Sequence, residues 1–250
     1  FRQTFIPNQF ITWESAEKTN AGIDLAFLNS RLSLTGEYFI NNTNAIILNP
    51  PLPDVIGVGT AYPAQNSGSV QNKGWELVMG WRDQVGDFRY AANFNLSDVK
   101  NKITKLENFA NNLGDQVRLE GYPLDAFYGF VADRIAQESD FNLVDGKYVP
   151  KFPFQKGDLV APGDLIYKPA DADATEITVL KDRVILGSEI PRYTYGFRGD
   201  LDYKGIDFSF FLQGVGKADG YLGGAARHPF INNSAMPQDV HLDRWTPDNT

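Results

Sequence analysis

Four stretches of this chain alternate between apolar and polar residues. A period of two describes an extended strand with faces of opposite polarity. Arg31–Ile40 sets Leu32, Leu34, Tyr38 and Ile40 against Arg31, Ser33, Thr35 and Glu37. Gly74–Arg82 sets Trp75, Leu77, Met79 and Trp81 against Glu76 and Arg82. Phe88–Ser97 sets Phe88, Tyr90, Ala92, Phe94 and Leu96 against Arg89, Asn93, Asn95 and Ser97. Tyr193–Tyr203 sets Tyr193, Tyr195, Phe197, Leu201 and Tyr203 against Thr194, Arg198, Asp200 and Asp202. The alternation fixes strands and leaves open what the apolar face touches. The core of a soluble sandwich and the acyl chains of a bilayer both satisfy it.

Six strands are expected: Lys18–Leu28, Arg31–Asn41, Lys73–Gln84, Phe88–Lys100, Ile190–Tyr203 and Ile206–Gly216. Tight turns at Asn29-Ser30, Val85-Gly86-Asp87 and Lys204-Gly205 join them in pairs, each with residue types that tolerate positive φ. The other connections are long, Asn42–Asn72, Asn101–Glu189 and the tail from Lys217. Short and long alternate, so an up-and-down meander puts all tight turns on one side and all long loops on the other. Membrane barrels segregate their loops this way. Trp75, Trp81, Phe88 and Tyr203 near strand ends fit interfacial aromatic girdles. By parity, Asn101–Glu189 holds an even number of spanning strands or none. Ala126–Gln137 looks strand-like there, with Asp164–Lys168 or Glu176–Leu180 as partner.

Composition narrows the function classes. The formal charge of −8 with no basic stripe argues against nucleic acid. Cysteine is absent and only His228 and His241 are present, so a disulfide framework is excluded and histidine-based catalysis is not expected. No run of eighteen apolar residues offers a spanning helix, which leaves strand-based spanning open. Gly-x-Ser-x-Gly, a Walker loop and His-Glu-x-x-His are all missing. Asp200 and Asp202 share one strand face, which suits a wet lumen wall; a glycosidase pair is the sharper alternative.

Several motifs in order resemble the SusC/RagA family of TonB-dependent outer-membrane transporters. The carriers are Trp13-Glu14 with Thr19-Asn20-Ala21-Gly22-Ile23-Asp24, Leu28-Asn29-Ser30-Arg31-Leu32, and Asn66–Leu77 with its Asn72-Lys73-Gly74-Trp75-Glu76. Lys100-Asn101-Lys102-Ile103, Gly121-Tyr122-Pro123-Leu124 and Asp182–Gly187 followed by Pro191, Tyr195 and Gly196 continue the series. The resemblance implies an all-β, antiparallel up-and-down meander within a large transmembrane β-barrel with long extracellular loops. Residues 1–250 would be a late part of that barrel, without the plug and the closing C-terminal strand. It implies a non-enzymatic receptor in the bacterial outer membrane that imports glycan oligomers or peptides. Its partners would be a SusD-like surface lipoprotein, TonB through the plug region, and membrane lipid. A soluble, secreted carbohydrate-binding sandwich and a glycosidase β domain are the rivals.

Ligand contacts are expected from loops. Phe127, Tyr128, Phe130, Tyr148, Phe152 and Phe154 cluster in the longest one, where they either stack on ligand or hold the loop together. The acidic run from Asp171 through Asp173 to Glu176, with Asp182 beyond, is the metal candidate. The family resemblance suggests calcium there, although no register supplies the usual turn glycine. Arg82, Arg89, Asn93, Asn95, Arg198, Asp200, Asp202 and Gln213 are expected to line the lumen and face a plug. His228, His241 and Trp245 read as loop-packing residues.

Overall fold

A computed structural model describes residues 8–49, 63–107, 114–155, 157, 159–224, 230 and 239–249. The chain divides into two units, Phe1–Ala126 with Gly187–Asp219 and Phe127–Leu186 with Gly220–Thr250.

The first unit is built on one antiparallel sheet of six strands. In order across the sheet they are β1 (Ser15–Phe27), β2 (Leu32–Leu48), β3 (Gln65–Val85), β4 (Phe88–Leu106), β5 (Arg192–Tyr203) and β6 (Ile206–Lys217). Each strand pairs with the next in the chain, and β4 pairs directly with β5 across the long insertion. The insertion therefore starts and ends on one side, as parity requires. The tight turns use left-handed backbone: Leu28, Asn29 and Ser30 all have φ between 55 and 64°, and Lys204-Gly205 has φ of 48 and 87°.

Register carries the alternation coherently across the sheet. Leu25, Leu34, Met79, Phe94, Phe197 and Leu212 form one continuous row, each the partner of the next. On the opposite face Asp24, Thr35, Val78, Asn95, Gly196 and Gln213 form the matching row. The register places the mostly apolar set on one face, because a one-residue slip would invert every side chain. No described element covers that face: Leu77 is 38% exposed and Phe208 58%. The buried apolar residues, such as Ile103, Phe141 and Ile166, lie elsewhere. An uncovered apolar surface six strands wide far exceeds the patches that water-soluble monomers expose. A two-layer sandwich with Leu34, Leu77, Phe94 and Phe197 sealed inside is not what these residues build.

Glycine and aromatic residues interlock across the β5–β6 seam. Gly199 faces Phe210 and Gly214 faces Tyr195 in register, and each ring lies where a glycine Cβ would stand. The ring fills the space its partner leaves empty, a cross-strand device that pins register.

Three strands run further than expected. β2 continues to Leu48, β3 begins at Gln65 and β4 continues to Leu106, so much of the expected long connections is strand. Alternation fades there, with Asn41-Asn42-Thr43-Asn44 polar on both faces, while the backbone ladder persists. Side-chain amides also pair across it, Gln71 Nε2 donating to Asn42 Oδ1 at 2.9 Å and Asn101 Nδ2 to Asn72 Oδ1 at 2.7 Å. β3 has 21 residues, roughly 70 Å at about 3.3 Å per residue, far beyond a ~25 Å apolar band.

The second unit is small and irregular. The expected strand Ala126–Gln137 is broken into Ala126–Gly129 and Ala132–Ile135. The latter pairs with Leu165–Tyr167, which lies inside the first of the two partners considered. Glu176–Ile177 instead runs parallel to Phe154–Gln155. A hairpin of Phe141–Val144 and Lys147–Pro150 turns at Asp145-Gly146. Ala136, Phe141 and Ile166 form the core, with Phe152 and Val160 packed on it. Trp245 lies over Gly163 and donates to Gln137 at 3.2 Å, a loop-packing role as expected. His228 falls outside the described residues; His241 lies in the Asp239–Leu242 turn.

Candidate functional site

Two surfaces carry the chemistry, one in each unit. The first is the polar face of the sheet. Near the tight turns it bears an open concavity of about 700 Å³ lined by Arg31, Arg82, Arg89, Arg198, Asp200 and Asp202 among others. Arg89 on β4 reaches across to Asp202 on β5, with Nη2 at 2.7 Å and Nε at 3.0 Å. Arg198 holds Asp200 at 2.8 Å along the same strand, and Arg31 holds Asp83 at 3.1 Å. Asn93 stands opposite Arg198, and Asn95 stands opposite Gly196, with Gln213 on the far side of that glycine. The eight expected lumen residues thus share one face. Their charges are largely paired with one another, which suits contact with a polar protein surface better than a selective ion path. Asp207, opposite Asp202, belongs to the same cluster and was not foreseen, because its strand alternates weakly around Phe210-Phe211.

The second surface is the aromatic insertion. The six expected aromatics do not form one platform. Phe127 is buried and lies 6.5 Å from Tyr221. Arg183 covers the Tyr128 ring at 4.5 Å. Phe130 meets Tyr167 at 5.2 Å. Tyr148 and Phe152 both converge on Phe141, at 5.4 and 5.5 Å. Phe154 is half-buried in its short strand. Most of these rings hold the insertion together, and only Tyr148, 43% exposed, offers a largely open face. Phe141 is the hub, and its position among polar residues in Ser139-Asp140-Phe141-Asn142 gave no periodic signal.

The acidic run folds as a stapled turn. Asp182 is 4% exposed and accepts from the Ala170 amide at 2.8 Å and the Thr178 amide at 2.7 Å. These donors hold its carboxyl below the usual carboxylate range. Asp171 accepts from the Asp173 amide at 3.1 Å. Among the described residues no three His, Cys, Asp or Glu side chains gather into a metal-holding group. With both Asp182 oxygens spent on N–H donors, this arrangement does not fit the six to eight oxygens calcium takes.

One further ion pair lies outside both surfaces. Asp98 follows Leu96 on the apolar face, yet it is 6% exposed and held by a two-pronged contact from Arg192. It marks where the apolar band of that face ends. The alternation breaks at Ser97-Asp98, a sequence signal for this boundary.

A family model described as "TonB dependent receptor-like, beta-barrel" matches residues 1–239. The chain belongs to this family. TonB-dependent receptor P3 of Formosa agariphila is 28% identical over 99% of this chain and 24% of its own length. TonB-dependent receptor SusC of Bacteroides thetaiotaomicron is 24% identical over 91% of this chain and 21% of its own. The chain thus spans about a quarter of the length of the curated relatives it matches. In fold it is similar to a chain in the structure of the RagAB peptide transporter, with a TM-score of 0.66. That likeness covers 95% of this chain and 25% of the other, at 24% identity. For a TonB-dependent receptor barrel the uncovered apolar face has a natural role as barrel exterior, and the family resemblance drawn from the motifs holds.

Proposed function

We propose that this chain forms barrel wall and extracellular structure of an outer-membrane receptor that imports glycan oligomers or peptides under TonB control. The row from Leu25 to Leu212 carries the proposal, uncovered on one face with a polar row behind it. An acyl-chain surroundings outside and a polar filling inside satisfy both faces at once. The Arg89–Asp202 and Arg198–Asp200 pairs would contact a plug domain, whose movement TonB drives. The long strands carry the wall above the bilayer, where the aromatic insertion, Tyr148 foremost, would touch substrate or a SusD-like lipoprotein lid. The named relatives are receptors, which supports a transport role over a hydrolytic one.

The test is uptake by cells that express or lack the intact receptor, supplied with fluorescent oligosaccharides and peptides. Receptor-dependent uptake of one class, abolished by a TonB deletion or a proton uncoupler, is the expected result. Uptake that ignores TonB, or surface hydrolysis without uptake, would overturn the proposal.

A further inference from the structure

Three lysines sit together on the apolar side of the sheet, just past the end of the apolar band. Lys73 on β3 and Lys100 on β4 are direct register partners. Both continue the face of Trp75 and Leu96, two and four residues away, so they point the same way as the apolar rows. Lys102 follows Lys100 on that face, before the β-bulge at Ser69/Val70 changes the parity. All three are exposed. Among the described residues, lysine ion pairs belong to Lys105, Lys168 and Lys204, and none to these three. Asp98, the nearest carboxylate on the face, is occupied by Arg192. Glu17 stands in the same row as Lys102 but on β1, with Asn42 and Gln71 between them. Like charges directly opposite in a sheet destabilise it. An anion that meets all three ammonium groups would remove that cost.

Height identifies the anion. Val85 and Phe88 close the apolar face at the tight-turn end. Lys73 lies twelve residues above Val85 along β3 (85 − 73). At about 3.3 Å per residue and a tilt near 40° this is a rise of roughly 30 Å, just beyond an apolar band of ~25 Å. That is headgroup level in the leaflet on the long-loop side.

We infer that Lys73, Lys100 and Lys102 form a docking site for the phosphate groups of an anionic membrane lipid at that leaflet. The inference rests on the reading that the apolar face meets acyl chains. Each lysine held at a charged lipid surface strengthens binding about fivefold, so the three together give on the order of a hundredfold.

The intact receptor in phosphatidylcholine nanodiscs, doped with a diphosphorylated glycolipid or its dephosphorylated form, provides the test, with retained lipid counted by native mass spectrometry. The wild type should retain the diphosphorylated lipid selectively. The triple variant K73Q/K100Q/K102Q should lose that retention by on the order of a hundredfold, while K105Q, whose lysine is paired with Glu107, should keep it. Equal retention of both lipids by the wild type, or equal retention by triple variant and wild type, would overturn the site. So would displacement by millimolar inorganic phosphate, which would point to a free-ion site. Should the triple variant fail to fold, K102Q and the wild-type comparison decide the matter. A receptor that inserts into phosphatidylcholine but shows no phosphate selectivity refutes only this inference, whereas failure to insert refutes the membrane reading beneath it.

Discussion

Replacing Phe94 by Arg tests the assignment of faces directly. Phe94 pairs with Met79 and Phe197 in the row that runs from Leu25 to Leu212. It stands six residues above Phe88, roughly 15 Å of rise at a tilt near 40°, close to the middle of a ~25 Å band. An arginine at that depth on the lipid face costs about 2–4 kcal/mol, between one and three orders of magnitude in the folding constant. Phe88→Arg, at the rim, should cost no more than about 1 kcal/mol, because the penalty falls toward the interface. Asn95→Arg, one residue along but on the polar face, should cost about 1 kcal/mol or less. Guanidinium titration of the intact receptor in lipid vesicles, read by heat-modifiable gel migration, gives the three values. If Phe94→Arg destabilises no more than Asn95→Arg, the apolar face does not meet lipid and the assignment fails.

Other consequences are as direct. Gly199→Val would push a side chain into the Phe210 ring and should cost roughly 1–3 kcal/mol, measured in the same titration. Phe141→Ala should raise amide exchange throughout the core around Ala136 and Ile166, whereas Tyr148→Ala, which removes one edge-on contact from Phe141, should raise it far less and weaken ligand capture. Arg134, and then the Gln137 amide, hold the Asp140 carboxyl down to about 2, well below its unfolded value near 3.9. A depressed folded value means the contact stabilises the insertion above about pH 4 and is lost as pH falls through about 2. Peptic cleavage of the insertion should therefore rise as pH drops across that window, and Arg134→Gln should be cleaved faster already above about pH 4 and show a smaller rise below it.

The sheet was legible because its two faces demand opposite polarity of alternate residues. Wherever both pull, as from Phe88 to Ser97, strand, face and turn could all be read. Beyond the apolar rows both faces are polar, so Asn41-Asn42-Thr43-Asn44 looks like loop although it continues β2. The insertion was legible only as an aromatic concentration. Its core depends on contacts between Ala136, Phe141 and Ile166, with spacings that obey no period. The parity argument succeeded where propensity could not, since it needs only an antiparallel meander. The acidic run was legible only as composition: Asp182 is matched to backbone amides at Ala170 and Thr178, and the sequence gives no sign of such a partner.

The glycine–ring pairs at the β5–β6 seam have a bearing on how such a wall is assembled. Tyr195 and Phe210 each need a bare Cα directly across the gap. Slide one strand by two residues, the smallest error that keeps oily groups facing oil, and Phe210 strikes an occupied position either way, Phe197 in one direction and Leu201 in the other; Tyr195 meets Leu212 in the first and the bare Gly216 in the second. The seam therefore behaves like a keyed zipper, able to reject a misaligned strand while the sheet is still assembling.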